Sequence, residues 1–214
     1  MKQKISMVLI YLLMGLGAFA QSDPAAKKIV TDLGNKYQSY QTAKIQFTVK
    51  SGRGNQLSLQ DKGVLLVAPK ENKYRIDFSE QTMISDGKQL WQVLKEEKEV
   101  QVTEVGDQEG TISPANLLTF YRQGYSYTRG QDEQVAGKSL TVIHLKPTAK
   151  QAYSEVLLRL DKSKNQIYDV TVLDKAGNRY QYTIQNLVAN AQVNPKTFIF
   201  DKTEFPGMEL VDLR

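Results

Sequence analysis

The strongest constraint on this chain is an alternation of apolar and polar side chains with a period of two residues. Ile45, Phe47 and Val49 alternate with polar neighbours in residues 44–50, and the pattern returns in 74–78. This period places successive side chains on opposite faces of a β-strand. About eleven short strands are predicted, at 44–50, 57–67, 74–78, 82–85, 88–94, 98–105, 139–146, 153–160, 167–173, 179–185 and 197–201. The sequence therefore predicts a mainly β fold built on one large sheet.

Short segments rich in turn residues separate these strands. They include Ser-Asp-Gly at 85–87, Asp-Lys-Ser-Lys-Asn at 161–165 and Asp-Lys-Ala-Gly-Asn at 174–178. Such residues favour tight turns between neighbouring strands. We therefore expect strands that follow each other in the chain to pair antiparallel, as a meander.

Two helices are predicted outside the sheet. Asp23 is a suitable N-cap with Pro24 at the first helical position. Apolar residues then recur at helical spacing, at Ala26, Ile29, Val30, Leu33, Tyr37 and Tyr40. The segment 113–118 starts with Ser-Pro and ends in two leucines, which predicts a short second helix between strands. Because a one-sided sheet needs a cover for its apolar face, these helices are expected to form a lid.

The first twenty residues have the pattern of a secretory signal peptide. Lys2 and Lys4 precede an apolar run of 15 residues at 5–19, and a small-x-small site predicts cleavage after Ala20. The alternative, a membrane anchor, needs roughly 20 apolar residues. No linker or repeat divides 21–214, which is read as one domain. The chain is therefore expected in an exported compartment.

Charge and composition exclude several classes of function. The whole chain has a formal net charge of +5, and removing the two lysines of the signal peptide leaves +3 without a basic cluster. A nucleic-acid surface would need clustered Lys and Arg. The chain has no cysteine and a single histidine, His144, so a zinc site or a catalytic triad is disfavoured. We predict no enzyme activity, no metal and no cofactor.

The segment that starts at Asp161 mimics the first part of a calcium-binding loop. However, Gln166 stands where the turn glycine is needed, and Val172 stands where the bidentate glutamate is needed. A calcium site is therefore rejected. The remaining default function is the binding of an apolar ligand by the sheet.

Five segments of the chain carry motifs that one known protein family shares. MISDGKQLW at 83–91 is similar to the family's vSDGktLW segment, and GVLLVAP at 63–69 is similar to its G-x-L-x-V-x-x-P strand. SPANLL at 113–118 resembles the mid-sheet helix, while FIF at 198–200 and PGMELVD at 206–212 resemble the family's C-terminal pattern. Taken in their order along the chain, these segments resemble the LolA family of lipoprotein carriers, and the resemblance covers nearly all of residues 21–214.

The resemblance implies an unclosed antiparallel β-barrel whose concave apolar face is capped by short helices. It implies a monomeric periplasmic carrier that takes the acyl chains of lipoproteins from an inner-membrane ABC-type release complex to the outer membrane. An outer-membrane receptor is a further expected partner. Many family members have an arginine before the strand-ending proline that holds the lid shut, whereas Ala68 precedes Pro69 here. Arg53 and Arg75 are the candidates to replace it.

The candidate lipid-binding residues are apolar positions on the predicted strands and the second helix. They are Phe47, Val49, Leu66, Tyr74, Ile76, Phe78, Trp91, Val93, Leu117, Leu118, Tyr182 and Ile184. For each of them, ordinary core packing is the alternative, and a register error of one residue would reverse the face. The alternative function is a periplasmic lipid- or peptide-sensing adaptor with the same fold.

Overall fold

The computed structural model describes residues 22–54, 56–105, 112 and 117–214. The predicted signal peptide lies outside these residues. Helix α1 spans Pro24–Gln38, and the Asp23 carboxylate accepts hydrogen bonds from the backbone N–H groups of Ala25 and Ala26. The predicted N-cap is therefore confirmed. Within the described ranges, no helix has the length and hydrophobicity needed to cross a membrane.

The described residues form thirteen strands in one sheet. They are β1 (Ala43–Arg53), β2 (Gln56–Ala68), β3 (Lys73–Asp77), β4 (Gln81–Ser85), β5 (Gln89–Leu94), β6 (Glu99–Glu104), β7 (Tyr125–Arg129), β8 (Glu133–Val135), β9 (Lys138–Pro147), β10 (Tyr153–Asp161), β11 (Gln166–Asp174), β12 (Asn178–Ala189) and β13 (Glu209–Asp212). Four short 3-10 helices cover Pro69–Glu71, Phe120–Arg122, Pro195–Phe198 and Lys202–Glu204.

The sheet consists of two meanders joined side by side. Its order is β13-β6-β5-β4-β3-β2-β1-β12-β11-β10-β9-β7, with β8 also paired to β9. Strands β1 to β6 and β9 to β12 pair with their chain neighbours, and β1 joins β12. In the described residues no ladder joins β13 to β7, so the sheet does not close. The prediction of an unclosed, mainly antiparallel β fold is confirmed.

Three details of the prediction differ from the structure. The strands β7, β8 and β13 are absent from the prediction, and each has only three to five residues. The predicted strand at 197–201 is wrong, because Asn194 caps a 3-10 helix at Pro195–Phe198 and proline sets its first turn. The strand β13 pairs with β6 in parallel. Residues 190–208 connect β12 to the edge of the sheet at β6 before β13 begins.

The second predicted helix, at 113–118, lies mainly outside the described residues. Its last two positions, Leu117 and Leu118, belong to a turn that leads into the 3-10 helix Phe120–Arg122. Leu118 and Tyr121 are buried in the main core. This part of the chain therefore helps α1 to cover the sheet.

Candidate functional site

One face of the sheet carries the main hydrophobic core, and we call it the inner face. The side chains of α1 pack on it, together with residues from most of the strands. Phe47 lies on this face and fits closely over Gly63, because a Cβ atom at Gly63 would lie 2.4 Å from Cζ of Phe47. Its ring also meets the ring of Phe78 edge-on, with 5.6 Å between centroids. The inner face is thus a continuous apolar surface.

The structure brings nine of the twelve candidate residues together on the inner face or its rim. They are Phe47, Val49, Tyr74, Ile76, Phe78, Leu117, Leu118, Tyr182 and Ile184. Four of the nine are buried, namely Phe47, Tyr74, Ile76 and Leu118, and the other five are partly exposed. Burial raises the pKa of the Tyr74 hydroxyl to about 12, so this group is neutral at any physiological pH. None of the nine side chains therefore adds a charge to the inner face.

The other three candidates, Leu66, Trp91 and Val93, lie on the opposite face, which we call the outer face. Leu66 pairs across the ladders with Lys44 and Arg75, and Trp91 pairs with Ile84. Facing pairs point to the same side of a sheet. These three side chains are therefore separated from the inner face by the sheet itself.

Helix α1 fills the inner face in this structure. Val30 and Tyr37 are 0% exposed and Leu33 is 1% exposed, since all three point from the helix to the sheet. The apolar stripe predicted for the first helix is thus buried against the strands. Any ligand that uses the same apolar surface must displace these side chains.

A small set of polar contacts holds α1 in place, and we call them the tethers. The Tyr37 hydroxyl accepts a hydrogen bond of 2.8 Å from the backbone N–H of Ile167 in β11. Burial raises the pKa of this hydroxyl well above its ordinary value. At the other end of the helix, the N–H of Asp23 donates to the carbonyl of Tyr127 in β7 at 2.8 Å. Both ends of the helix are therefore bonded to the sheet.

The third tether involves Arg122, a residue that the sequence analysis did not select. Its Nη2 atom donates to Oδ1 of Asn35 on α1 at 2.9 Å, and its aliphatic chain crosses the helix over Gly34. A Cβ atom at Gly34 would lie 2.4 Å from Cδ of Arg122. A glycine in mid-helix lowers the stability of the helix by about 1 kcal/mol relative to alanine. Its presence in the sequence was therefore the available signal that another side chain packs closely against the helix at this position.

Neither of the arginines considered as replacements for the missing family arginine reaches α1. Arg53 donates to Oδ1 of Asn178 and to the carbonyl of Ala176, at the far end of β1. Arg75 pairs on the outer face with Asp77 and Glu204. The hydrogen bond between a guanidinium and α1 comes instead from Arg122.

The outer face of β4 to β6 carries a second apolar cluster, the outer patch. It consists of Ile84, Val93, Val100 and Val102, with Trp91 beside them. The segment 195–205, which we call the C-terminal segment, covers the patch with the rings of Phe200 and Phe205, and it also contains the buried Phe198. Trp91 stacks on the ring of Phe200 with centroids 5.8 Å apart, and Phe200 stacks on Phe205 at 5.7 Å. The outer patch is therefore closed by the chain itself.

Two groups of charged side chains on the outer face pair with one another. His144 bonds through Nδ1 to Glu155 at 2.8 Å, as expected for a histidine on a half-exposed strand face. Arg159 pairs with Asp169 and Glu133; burial raises the pKa of Asp169, and the guanidinium opposes that rise. Among the described residues, no group of three potential metal ligands comes together.

Comparison with known proteins agrees with this architecture. The model of the family "Outer membrane lipoprotein carrier protein LolA" matches residues 38–201. An outer-membrane lipoprotein carrier protein of Pseudomonas paraeruginosa is 26% identical over 201 residues, which cover 94% of each chain. A carrier protein of the same name from Pseudomonas aeruginosa matches with the same identity and coverage.

Two solved structures share the fold. An uncharacterized conserved protein of Thermus thermophilus superposes with a TM-score of 0.58 at 8% identity, covering 88% of this chain and 99% of that one. The Mycobacterium tuberculosis lipoprotein LppX superposes with a TM-score of 0.51 at 14% identity, covering 81% and 99%. At these identities the likeness concerns the fold. On the family match, this chain belongs to the LolA family of outer-membrane lipoprotein carrier proteins, which are carriers and not enzymes.

Proposed function

We propose that this protein carries lipoproteins by binding their acyl chains on the inner face of the sheet. The observation that supports this most directly is the continuous apolar inner face under a separate helical cover. Transfer from water to such a surface is worth about 0.8 kcal/mol per methylene, so an acyl chain of a dozen or more methylenes gains on the order of 10 kcal/mol. That gain is large enough to hold a lipid-anchored cargo in water.

Binding requires α1 to leave the inner face. The helix buries Val30, Leu33 and Tyr37 on the surface that the acyl chains need. Its polar attachments to the rest of the chain are few, since the tethers are separate hydrogen bonds and not a ladder. In the loaded carrier, contacts with the acyl chains therefore replace the packing of α1 on the inner face. The return of α1 to that face favours release of the cargo.

In this proposal the protein works in the periplasm. Residues 1–20 act as the signal peptide, and residues 21–214 form the carrier domain. As a monomer, the carrier receives its cargo from an inner-membrane ABC-type release complex and delivers it to the outer membrane, where a receptor is a further expected partner. The periplasmic location of the LolA family supports this assignment.

A matched pair of substitutions tests which face binds acyl chains. Val49 on the inner face and Val64 on the outer face are half-buried valines on neighbouring strands. We expect Val49→Glu to weaken binding of a dansyl-labelled fatty acid by more than about tenfold, because a carboxylate would meet the acyl chain. Val64→Glu is expected to leave binding unchanged. Fluorescence titration measures both, and circular dichroism checks folding.

If Val49→Glu does not fold, Tyr182→Gln on the inner rim takes its place, with binding measured in the same way. The proposal would be contradicted if the inner-face variant, the outer-face variant and the unsubstituted protein all bound the labelled fatty acid with equal affinity. Retained binding of a peptide ligand without any acyl binding would favour the sensing adaptor instead.

A further inference from the structure

The sheet opens between β11 and β12. The ladder between these strands joins Asp169–Leu173 to Arg179–Thr183. Strand β11 starts three residues earlier, at Gln166, and β12 continues to Ala189. In these extensions β11 pairs with β10 and β12 pairs with β1. In the described chain, the two edges that face each other beyond Thr183 are thus not joined by a ladder.

A cavity of about 220 Å³ occupies this opening, and we call it the slot. Its wall combines polar side chains with apolar side chains that border the main core. The wall includes Lys138, Asp161 and Lys164, Ile167 of β11, and Ile184 and Leu187 of β12. A slot between two strand edges offers backbone donors and acceptors on both sides, which is what an extended peptide needs.

The tether at Tyr37 supplies a hydrogen-bond acceptor to one of these backbone groups. The N–H of Ile167 lies in the wall of the slot and donates to the Tyr37 hydroxyl, at 2.8 Å. A side chain of α1 thus supplies the hydrogen-bond acceptor that a neighbouring strand would otherwise provide. When α1 leaves the inner face, this N–H becomes available to a ligand.

The charges around the slot are mainly positive. Lys138 and Lys164 line it, and because neither belongs to α1 both charges remain when the helix leaves. Asp161 is the single carboxylate among the described residues of the wall, and it pairs with Lys138 at 2.7 Å. The remaining charge favours an acidic ligand.

We propose that the slot binds an extended, net-acidic peptide segment by β-strand addition, next to the acyl chains on the inner face. The segment is the part of a lipoprotein cargo that adjoins its acylated end, and this assignment rests on the proposed function. The cargo then has two attachments, an apolar one under α1 and a main-chain one in the slot. Release of Tyr37 from Ile167 by the movement of α1 couples the two.

The test uses residues 21–214 with the substitution Tyr37→Phe, which frees the N–H of Ile167 without an acyl ligand, labelled with ¹⁵N. Two unacylated synthetic peptides are added in turn, one of alternating threonine and aspartate and one of alternating threonine and lysine. We expect the acidic peptide to shift the amide signals of 166–168 and 184–187, and the basic peptide to leave them unchanged. Shifts confined to other strand edges, such as 56–63 of β2, or no shifts with either peptide, would overturn the proposal.

Two charge reversals complete the test. Lys164→Glu at the slot is expected to weaken binding of the acidic peptide by about tenfold, because it places a like charge beside the ligand. Lys175→Glu, in the turn at the other end of the β11–β12 hairpin, is the matched control and is expected to change binding less than about twofold. Equal effects of the two variants would contradict the slot. Titration of the same samples with the labelled fatty acid tests acyl binding separately, so either proposal can fail alone.

Discussion

The inner face and the outer patch are both apolar, but the chain covers them in different ways. Over the inner face lies α1, a helix attached by individual hydrogen bonds at Asp23, Asn35, Lys36 and Tyr37. Over the outer patch lies the C-terminal segment, followed by β13, which pairs with β6 through four residues. The ion pair between Arg75 and Glu204, at 2.8 Å, adds to the outer cover. One cover is held by separate hydrogen bonds, and the other is joined directly to a strand of the sheet, β13.

This difference indicates which apolar surface is available to a ligand. Moving α1 costs the packing of its apolar stripe and a few hydrogen bonds, and acyl chains can replace that packing. Removing the C-terminal segment together with β13 would also break a ladder at the edge of the sheet and leave the edge of β6 unpaired. Under the proposed function, α1 opens transiently from the inner face, whereas the cover of the outer patch stays in place.

The largest effect is expected at Phe198, a residue of the C-terminal segment that is 5% exposed. Phe198→Ala should lower the free energy of unfolding by about 3–5 kcal/mol, since it leaves a cavity that the patch does not refill. Urea denaturation measures the loss. Its neighbour Ile199 is 55% exposed, so Ile199→Ala is the control and should change stability by less than about 0.5 kcal/mol.

In this experiment the folded fraction of Phe198→Ala should still bind the labelled fatty acid with unchanged affinity. A loss of acyl binding at low denaturant concentrations would mean that the outer patch also takes part in binding, and the distinction between the two covers would no longer hold.

A smaller loss of stability, accompanied by tighter acyl binding, is expected for a substitution at Tyr37. Tyr37→Phe leaves the N–H of Ile167 without its acceptor, and we expect a loss of about 1–3 kcal/mol in the free energy of unfolding. The substitution destabilises the closed state, in which α1 covers the inner face. Acyl binding should therefore become about tenfold tighter for each 1.4 kcal/mol by which the closed state is destabilised relative to the state with α1 displaced. Fluorescence titration of the labelled fatty acid provides the measurement.

Tyr40→Phe is the matched control, because Tyr40 packs against Tyr37 at 5.6 Å between ring centroids and no described residue is hydrogen-bonded to its hydroxyl. We expect little change in acyl affinity for this variant. An unchanged or weaker affinity in Tyr37→Phe would show that the closed state does not compete with acyl binding.

The smallest effect is expected at Gly34. Gly34→Ala gains about 1 kcal/mol of helix propensity, but the new methyl group displaces the Arg122 side chain and with it a hydrogen bond worth about 0.5–1.5 kcal/mol. The net change in stability should therefore stay within about 1 kcal/mol. In an Arg122→Ala background, the same substitution should give the full gain. Equal effects in both backgrounds would remove Arg122 from the set of tethers.

Several features followed from local chemistry alone. The alternation around Phe47 and the turn residues at 174–178 predicted the strands and their antiparallel pairing, because each depends on neighbours within a few residues. The N-cap at Asp23 and the apolar stripe of α1 followed in the same way. The strand predicted at 197–201 was wrong, since Pro195 and the Asn194 cap set a 3-10 turn that an apolar run does not reveal.

The face of each strand was decided only by the tertiary structure. Alternation shows that Trp91 and Val93 share a face, but not which face covers the core, and β5 is apolar on both sides because Leu90 packs inward. The contact of Arg122 with α1 joins residues 87 positions apart, and the slot depends on where two ladders end. The sequence by itself determined α1, ten of the thirteen described strands and the family. The packing of distant segments determined which apolar surface α1 covers and which one the C-terminal segment covers, because that choice depends on contacts that no local pattern contains.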